Sequence, residues 1–212
     1  MTDNEGNLFS AFVRADYERA KFDFFKWDPD KNKKLDQSQP PVKAIQAFLN
    51  DVQELSDLEN SLGQKYEPEE CNAQTFCQDA IDGIKAMTKP GVSLVVDAPK
   101  ATMPLCREPL AEVLHHLLVN AALHTPENGR ISLELKKRGA KVYQLIVTDS
   151  GAGIPEDDCA DLFKPFSSIR DLTHGDGLGL PICNLKLTKM GGSISLDTEY
   201  KRGARFVIAL RS

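Results

Sequence analysis

The 212-residue chain lacks any pattern of paired cysteines. Its five, Cys71, Cys77, Cys106, Cys159 and Cys183, are odd in number, scattered and never spaced C-x-x-C, which argues against a disulfide framework and against a zinc site. No apolar run approaches the ~20 residues of a membrane span, and residues 1–7 are too polar for a secretory leader, so the expectation is an intracellular chain with no membrane contact of its own. There is no basic excess: 26 Lys+Arg against 31 Asp+Glu give a net charge of −5, which argues against a general binder of nucleic-acid backbones. Lys136, Lys137 and Arg138, the densest basic run of the second half, read as a solvated strand end. Internal repeats and low-complexity tracts are missing too. What is present, 41% hydrophobic and 27% charged residues, is the composition of a globular protein long enough for one or two compact units.

Apolar residues at Leu8, Phe9, Phe12, Val13, Tyr17, Phe24 and Trp27 fall roughly on one helical face. The polar stretch 28–39 and then Pro40 and Pro41 mark a connection. Val42, Ile45, Phe48, Leu49, Val52, Leu55, Leu58 and Leu62 predict a second helix with a long apolar seam, stopped by Gly63. The pair reads as a helical hairpin over residues 1–63, whose apolar surface calls for a second copy of itself. Residues 64–212 form the second domain: helices around 76–87, 109–124 and 178–190, and strands at 92–96, 131–135, 142–148, 193–196 and 205–210. The fold class is α+β, with helices on one face of a mixed, mostly antiparallel sheet.

Three elements carry chemistry. In the helix 109–124, Leu110, Val113, Leu114, Leu117, Leu118 and Ala121 make the core face. Glu112, His116, Asn120 and His124 then form a stripe at four-residue spacing along its edge. An amide oxygen such as that of Asn120 can ligate a hard cation like Mg²⁺, completed by waters and phosphates; the plainer reading is a helix flank. Next, Asp149-Ser150-Gly151-Ala152-Gly153-Ile154 follows a buried-looking strand. A carboxylate there can accept from an exocyclic amine such as that of adenine, and the glycines admit a flat ring; an ordinary Asp-Ser-Gly turn is the alternative. Last, Gly175-Asp176-Gly177-Leu178-Gly179-Leu180 feeds an apolar helix, and its exposed N–H groups suit a polyphosphate; the alternative is a flexible linker. Between the last two lie Phe163, Lys164, Pro165 and Phe166 and then a polar stretch, 167–174, that reads as a lid hinged on aromatics. The two phenylalanines could equally be core.

In this order and spacing the elements resemble the ATP-binding domain of sensor histidine kinases. That domain is a branch of the GHKL superfamily, which also holds gyrase, MutL, heat-shock chaperone and anti-sigma-factor kinase ATPases. Residues 117–126, Leu-Leu-Val-Asn-Ala-Ala-Leu-His-Thr-Pro, are similar to the family's N box. Asp149 to Ile154 resemble its first glycine box, Leu162 to Phe166 its F box and Gly175 to Leu180 its second glycine box. The resemblance covers residues 68–210 and implies a two-layer α/β sandwich of the Bergerat type that binds Mg·ATP. By position it implies that Asn120 holds Mg²⁺, Asp149 reads the adenine amine and His124 stacks beside the base. Gly175, Gly177 and Gly179 would lie along the phosphates, while Gly151, Gly153, Ile154, Phe163, Phe166, Leu178 and Leu180 complete the nucleotide site.

The match has departures. Kinases of this kind carry a phosphoacceptor histidine in a preceding hairpin, yet all four histidines here, His115, His116, His124 and His174, lie in the second domain. Leu123 stands where the family often has Lys or Arg, which shifts anion neutralisation to Lys164 or Arg170. His116 stands where gyrase-like branches place a glutamate base, and as a neutral imidazole it is a candidate proton acceptor from water. The resemblance therefore implies transfer of the ATP γ-phosphoryl group to a histidine absent from this hairpin, in a homodimer, with a response regulator or phosphoacceptor protein as partner. It also implies a cytoplasmic location, alone or as the cytoplasmic part of a larger membrane-bound sensor. The alternatives are a non-catalytic nucleotide-sensing or dimerisation module and an anti-sigma-type serine kinase.

Overall fold

The computed structural model describes residues 40–61, 63, 65–139, 142–165 and 178–211, with side chains from residue 48 onward. The helix expected over 8–27 and the polar stretch 167–174 lie outside the described residues. The chain divides into two compact units, residues 1–57 and 58–212.

Helix α1 (Pro40–Asn60) begins at the two prolines, where the sequence reading placed a connection. Proline lacks only an N–H that the first helical turn leaves unpaired anyway, and its fixed φ suits that turn. Within the second unit the order is β1 (Glu69–Asn72), α2 (Ala73–Asp82), a 3₁₀ turn at Lys85–Met87, β2 (Ser93–Asp97), β3 (Thr102–Leu105) and α3 (Arg107–His124). Then follow β4 (Arg130–Lys137), β5 (Val142–Asp149), the single turn α4 (Glu156–Cys159), α5 (Gly179–Lys189), β6 (Ser193–Leu196) and β7 (Arg205–Arg211). Asn72 caps α2 by accepting from Thr75 N at 2.9 Å. The helix predicted over 76–87 thus starts earlier and gives way to a tighter turn.

Five strands make the main sheet in the order β2-β4-β5-β7-β6. Only β2 and β4 are parallel, and a parallel neighbour needs a crossover helix; α3 is part of that connection. Alternation places Ile131, Leu133 and Leu135 of β4, Tyr143, Leu145 and Val147 of β5, and Phe206, Ile208 and Leu210 of β7 on one buried face. The register stacks them, with Leu133 opposite Val147 and Val147 opposite Phe206. The face is covered by Phe76, Cys77 and Ile81 of α2, the predicted core face of α3 and Cys183 and Leu187 of α5. A separate antiparallel pair, β1 with β3, was not expected from the sequence.

Candidate functional site

Tyr143, Leu145 and Val147 set a period of two that Asp149 continues, so its side chain ends up on the buried face, opposite Ile131. The carboxylate is 6% exposed, and burying it unpaired would be costly. Two backbone amides compensate: Gly151 N at 2.8 Å and Ala204 N at 3.1 Å both donate to Oδ1. Oδ2 is left to face whatever enters beside it. Ser150 secures the same loop, its Oγ accepting from Arg130 N at 2.8 Å while its own N donates to Arg130 O at 3.0 Å.

Glycine is required here for space as well as conformation. A Cβ on Gly151 would come within 2.7 Å of the His124 carbonyl, so the loop is pressed against the end of α3. Gly203 has φ +139 and a Cβ there would overlap the Asp149 carbonyl, which makes the Gly203-Ala204 step the second wall of the carboxylate's cradle. The sequence reading missed this wall. Its only signal is a glycine two residues before the closing strand. Gly153, at φ +77 and facing the Gly203 carbonyl, holds the same turn.

Along α3 the stripe emerges as expected: His116 and Asn120 are half-buried, Glu112 and His124 exposed. At the level of His116 the stripe meets α5, where a Cβ on Gly179 would lie 3.2 Å from His116 Nδ1. Leu178 is buried and Ile182 N donates to its carbonyl at 2.9 Å, which starts α5 directly at the second glycine box. The stripe is therefore flanked by the Asp149 loop at its His124 end and by the α5 N-terminus at its His116 end. The eight residues between span about 12 Å, with Asn120 midway.

Of the other expected residues, Ile154, Phe163 and Leu180 are partly buried and pack against the core. Gly175, Gly177 and Phe166 lie outside the described residues. Lys164 forms an ion pair with Asp161 at 2.5 Å. Leu123 is 52% exposed, and its carbonyl accepts from Lys89 Nζ at 3.1 Å, a cation at the helix C-terminus, where the helix dipole favours positive charge.

The residues fit a bound nucleotide. Asp149 presents one oxygen committed to two backbone amides and a second that can accept from a ligand. At the C-cap of α3, next to His124, Thr125 Oγ1 is fully buried and, among the described residues, without a hydrogen-bond partner, an unusual state for a buried hydroxyl. Among the described residues no group of three or more His, Cys, Asp or Glu side chains could hold a metal ion. A divalent cation beside Asn120 would thus draw most of its ligands from phosphates and waters, as Mg²⁺ does.

Residues 107–212 match the family model described as histidine kinase-, DNA gyrase B-, and HSP90-like ATPase. The alginate biosynthesis sensor protein KinB of Pseudomonas aeruginosa is 34% identical over 108 residues, 51% of this chain and 18% of that protein. The adaptive-response sensory kinase SasA of Synechocystis is 27% identical over 181 residues, 83% of this chain and 47% of that protein. The catalytic domain of histidine kinase ThkA superposes with a TM-score of 0.58 at 26% identity, covering 68% of this chain and 95% of that structure. The chain spans less than half the length of these two curated relatives. The α+β fold expected from the sequence is the fold of these catalytic domains, and the chain belongs to the family of histidine kinase-, DNA gyrase B- and HSP90-like ATPases.

Proposed function

We propose that the chain is the ATP-binding catalytic portion of a two-component sensor histidine kinase, which transfers the γ-phosphoryl group of ATP to a histidine outside the hairpin of residues 1–63. The observation that carries this is the flanking of one α3 stripe by the Asp149 loop and by the start of α5, with Asn120 between them. Kinases are named among the relatives, which supports the reading.

Each residue has a task that its surroundings support. Asp149, with Oδ1 committed to two amides, keeps Oδ2 to accept from the exocyclic amine of adenine. Guanine presents a carbonyl oxygen there, which a carboxylate repels. His124 offers its ring beside the base, and the N–H groups at the start of α5, helped by the helix dipole, hold the phosphates. Asn120 would contribute an amide oxygen to Mg²⁺. Bound Mg·ATP supplies the phosphoryl group and the cation that neutralises it. The protein's share is positioning and exclusion of water. His116, packed on Gly179, is a candidate proton acceptor only if its ring faces a water.

Residues 1–63 are proposed as a dimerisation hairpin in front of the catalytic domain of residues 64–212, and a response regulator or phosphoacceptor protein as the partner. Among the described residues no helix is long and apolar enough to cross a membrane; the placement proposed is cytoplasmic, alone or as part of a larger sensor. Incubation with Mg²⁺ and γ-labelled ATP, with and without a separately supplied phosphoacceptor hairpin, tests the reading. Acid-labile label should appear on the added hairpin only, and Asn120→Ala should abolish it. ATP binding without label on the hairpin would favour the nucleotide-sensing module instead.

A further inference from the structure

Lysine is among the residues least often fully buried, because its ammonium must shed water. Lys186 of α5 is 3% exposed, and its Nζ is paired with Glu112 Oε2 of α3. It takes no part in the site described above. Seven residues separate it from Gly179, and eight separate Glu112 from Asn120, distances of about 10 and 12 Å along the two helices, so neither side chain reaches the nucleotide site.

The pair is instead the far end of a seam. Gly179 meets His116, Cys183 Sγ donates to Val113 O at 3.7 Å, and Lys186 meets Glu112. Numbers rise along α5 as they fall along α3, so the helices run antiparallel, one carrying Asn120 and the other beginning at the phosphate end of the site. Apolar helix faces alone tolerate sliding. A slip of α5 by one turn would move Gly179 by about 5 Å relative to Asn120.

We propose that Lys186 is a positioning residue. Through Glu112 it fixes the register of α5 against α3 and so holds the start of α5 at working distance from Asn120. This rests on the nucleotide reading above and deepens it. Stability does not account for the buried ammonium, since an apolar side chain of similar volume in place of a buried charge is often neutral or stabilising. Register does account for it, because an ammonium buried at 3% exposure that keeps a carboxylate partner on α3 penalises alignments that would carry it away from Glu112.

Calorimetric titration separates the two roles by using two probes, a non-hydrolysable ATP analogue with Mg²⁺, and ADP in EDTA. Lys186→Met should weaken binding of the Mg·analogue by about fivefold or more and leave ADP binding and Tm essentially unchanged. Glu112→Gln, at an exposed position, should act in the same direction. The double variant should cost no more than the worse single one, and Lys186→Arg should restore binding. Parallel loss of both ligands together with a lowered Tm would show a merely structural lysine and overturn the proposal, as would unchanged binding of the Mg·analogue. If the unsubstituted protein binds neither probe, the nucleotide reading itself falls, and this inference with it.

Discussion

Asp149 shows how one residue can be legible in sequence while its support is not. Alternation through Tyr143, Leu145 and Val147 carries it to the buried face of β5, and the Gly-x-Gly that follows marks the turn. What holds the carboxylate is the Gly203-Ala204 step, more than fifty residues away, where Ala204 N donates to Oδ1 at 3.1 Å. No local pattern announces a backbone amide as a ligand, because every residue but proline has one. The prediction that belongs here is Asp149→Asn. The amide can present the same oxygen to the two backbone donors but turns its NH₂ toward the ligand, so a donor replaces an acceptor. ATP affinity should fall by about tenfold or more, equivalent to ~1.4 kcal/mol, and preference over GTP should shrink or reverse in competition binding. Equal ATP and GTP affinities in the unsubstituted protein would remove the adenine assignment. Among the described residues all five cysteines are free, and burial pushes the Cys77 thiol up to about 12, keeping it neutral at physiological pH.

At the scale of elements, periodicity located the strong ones and failed on the weak ones. The core face of α3 was readable because Leu110, Val113, Leu114, Leu117, Leu118 and Ala121 keep helical spacing, and all six are buried. Strands β1 and β3 escaped notice: Glu-Glu-Cys-Asn has three polar residues, and Thr-Met-Pro-Leu contains a proline, so tertiary pairing overrides weak intrinsic preference. Helix α5 also hides its lysines from a hydropathy reading. Lys189 is 8% exposed, its Nζ 4.8 Å from the centre of the Tyr66 ring and 2.8 Å from Ser61 Oγ, to which it donates. This contact fastens α5 to the first residues of the second unit. Lys189→Met, which keeps the apolar stem, should lower stability by about 1 kcal/mol through loss of the cation–π contact and the hydrogen bond. In urea titrations a double-mutant cycle with Tyr66→Leu should show coupling of about 0.5–1 kcal/mol. Independent, additive losses would mean that the ammonium gains nothing from the ring.

For the whole molecule, the division at residue 57 separates two different problems of burial. The second unit closes its own core: three helices cover one face of a five-stranded sheet. The helical hairpin proposed over residues 1–63 would have no sheet to cover, and its seam, where Leu55 and Leu58 are buried but Leu49 and Val52 only half-buried, would keep an apolar stripe that a second copy could cover. Pairing of two hairpins into a four-helix bundle would bury it, and this argument, not the fold of the second unit, is what predicts a homodimer. The two units should therefore differ in their dependence on concentration. In sedimentation equilibrium the full chain should behave as a dimer of about twice its 23.4 kDa mass, and residues 58–212 alone as a monomer that still binds Mg·ATP. Substituting Leu49 and Val52 by Glu should dissociate the full chain without changing its nucleotide affinity, because charge placed in an apolar seam opposes pairing, while the Asp149 cradle is built entirely from residues of the second unit. A monomeric full chain would mean that the seam is covered in some other way, and a dimer of residues 58–212 would move the contact onto the catalytic unit itself.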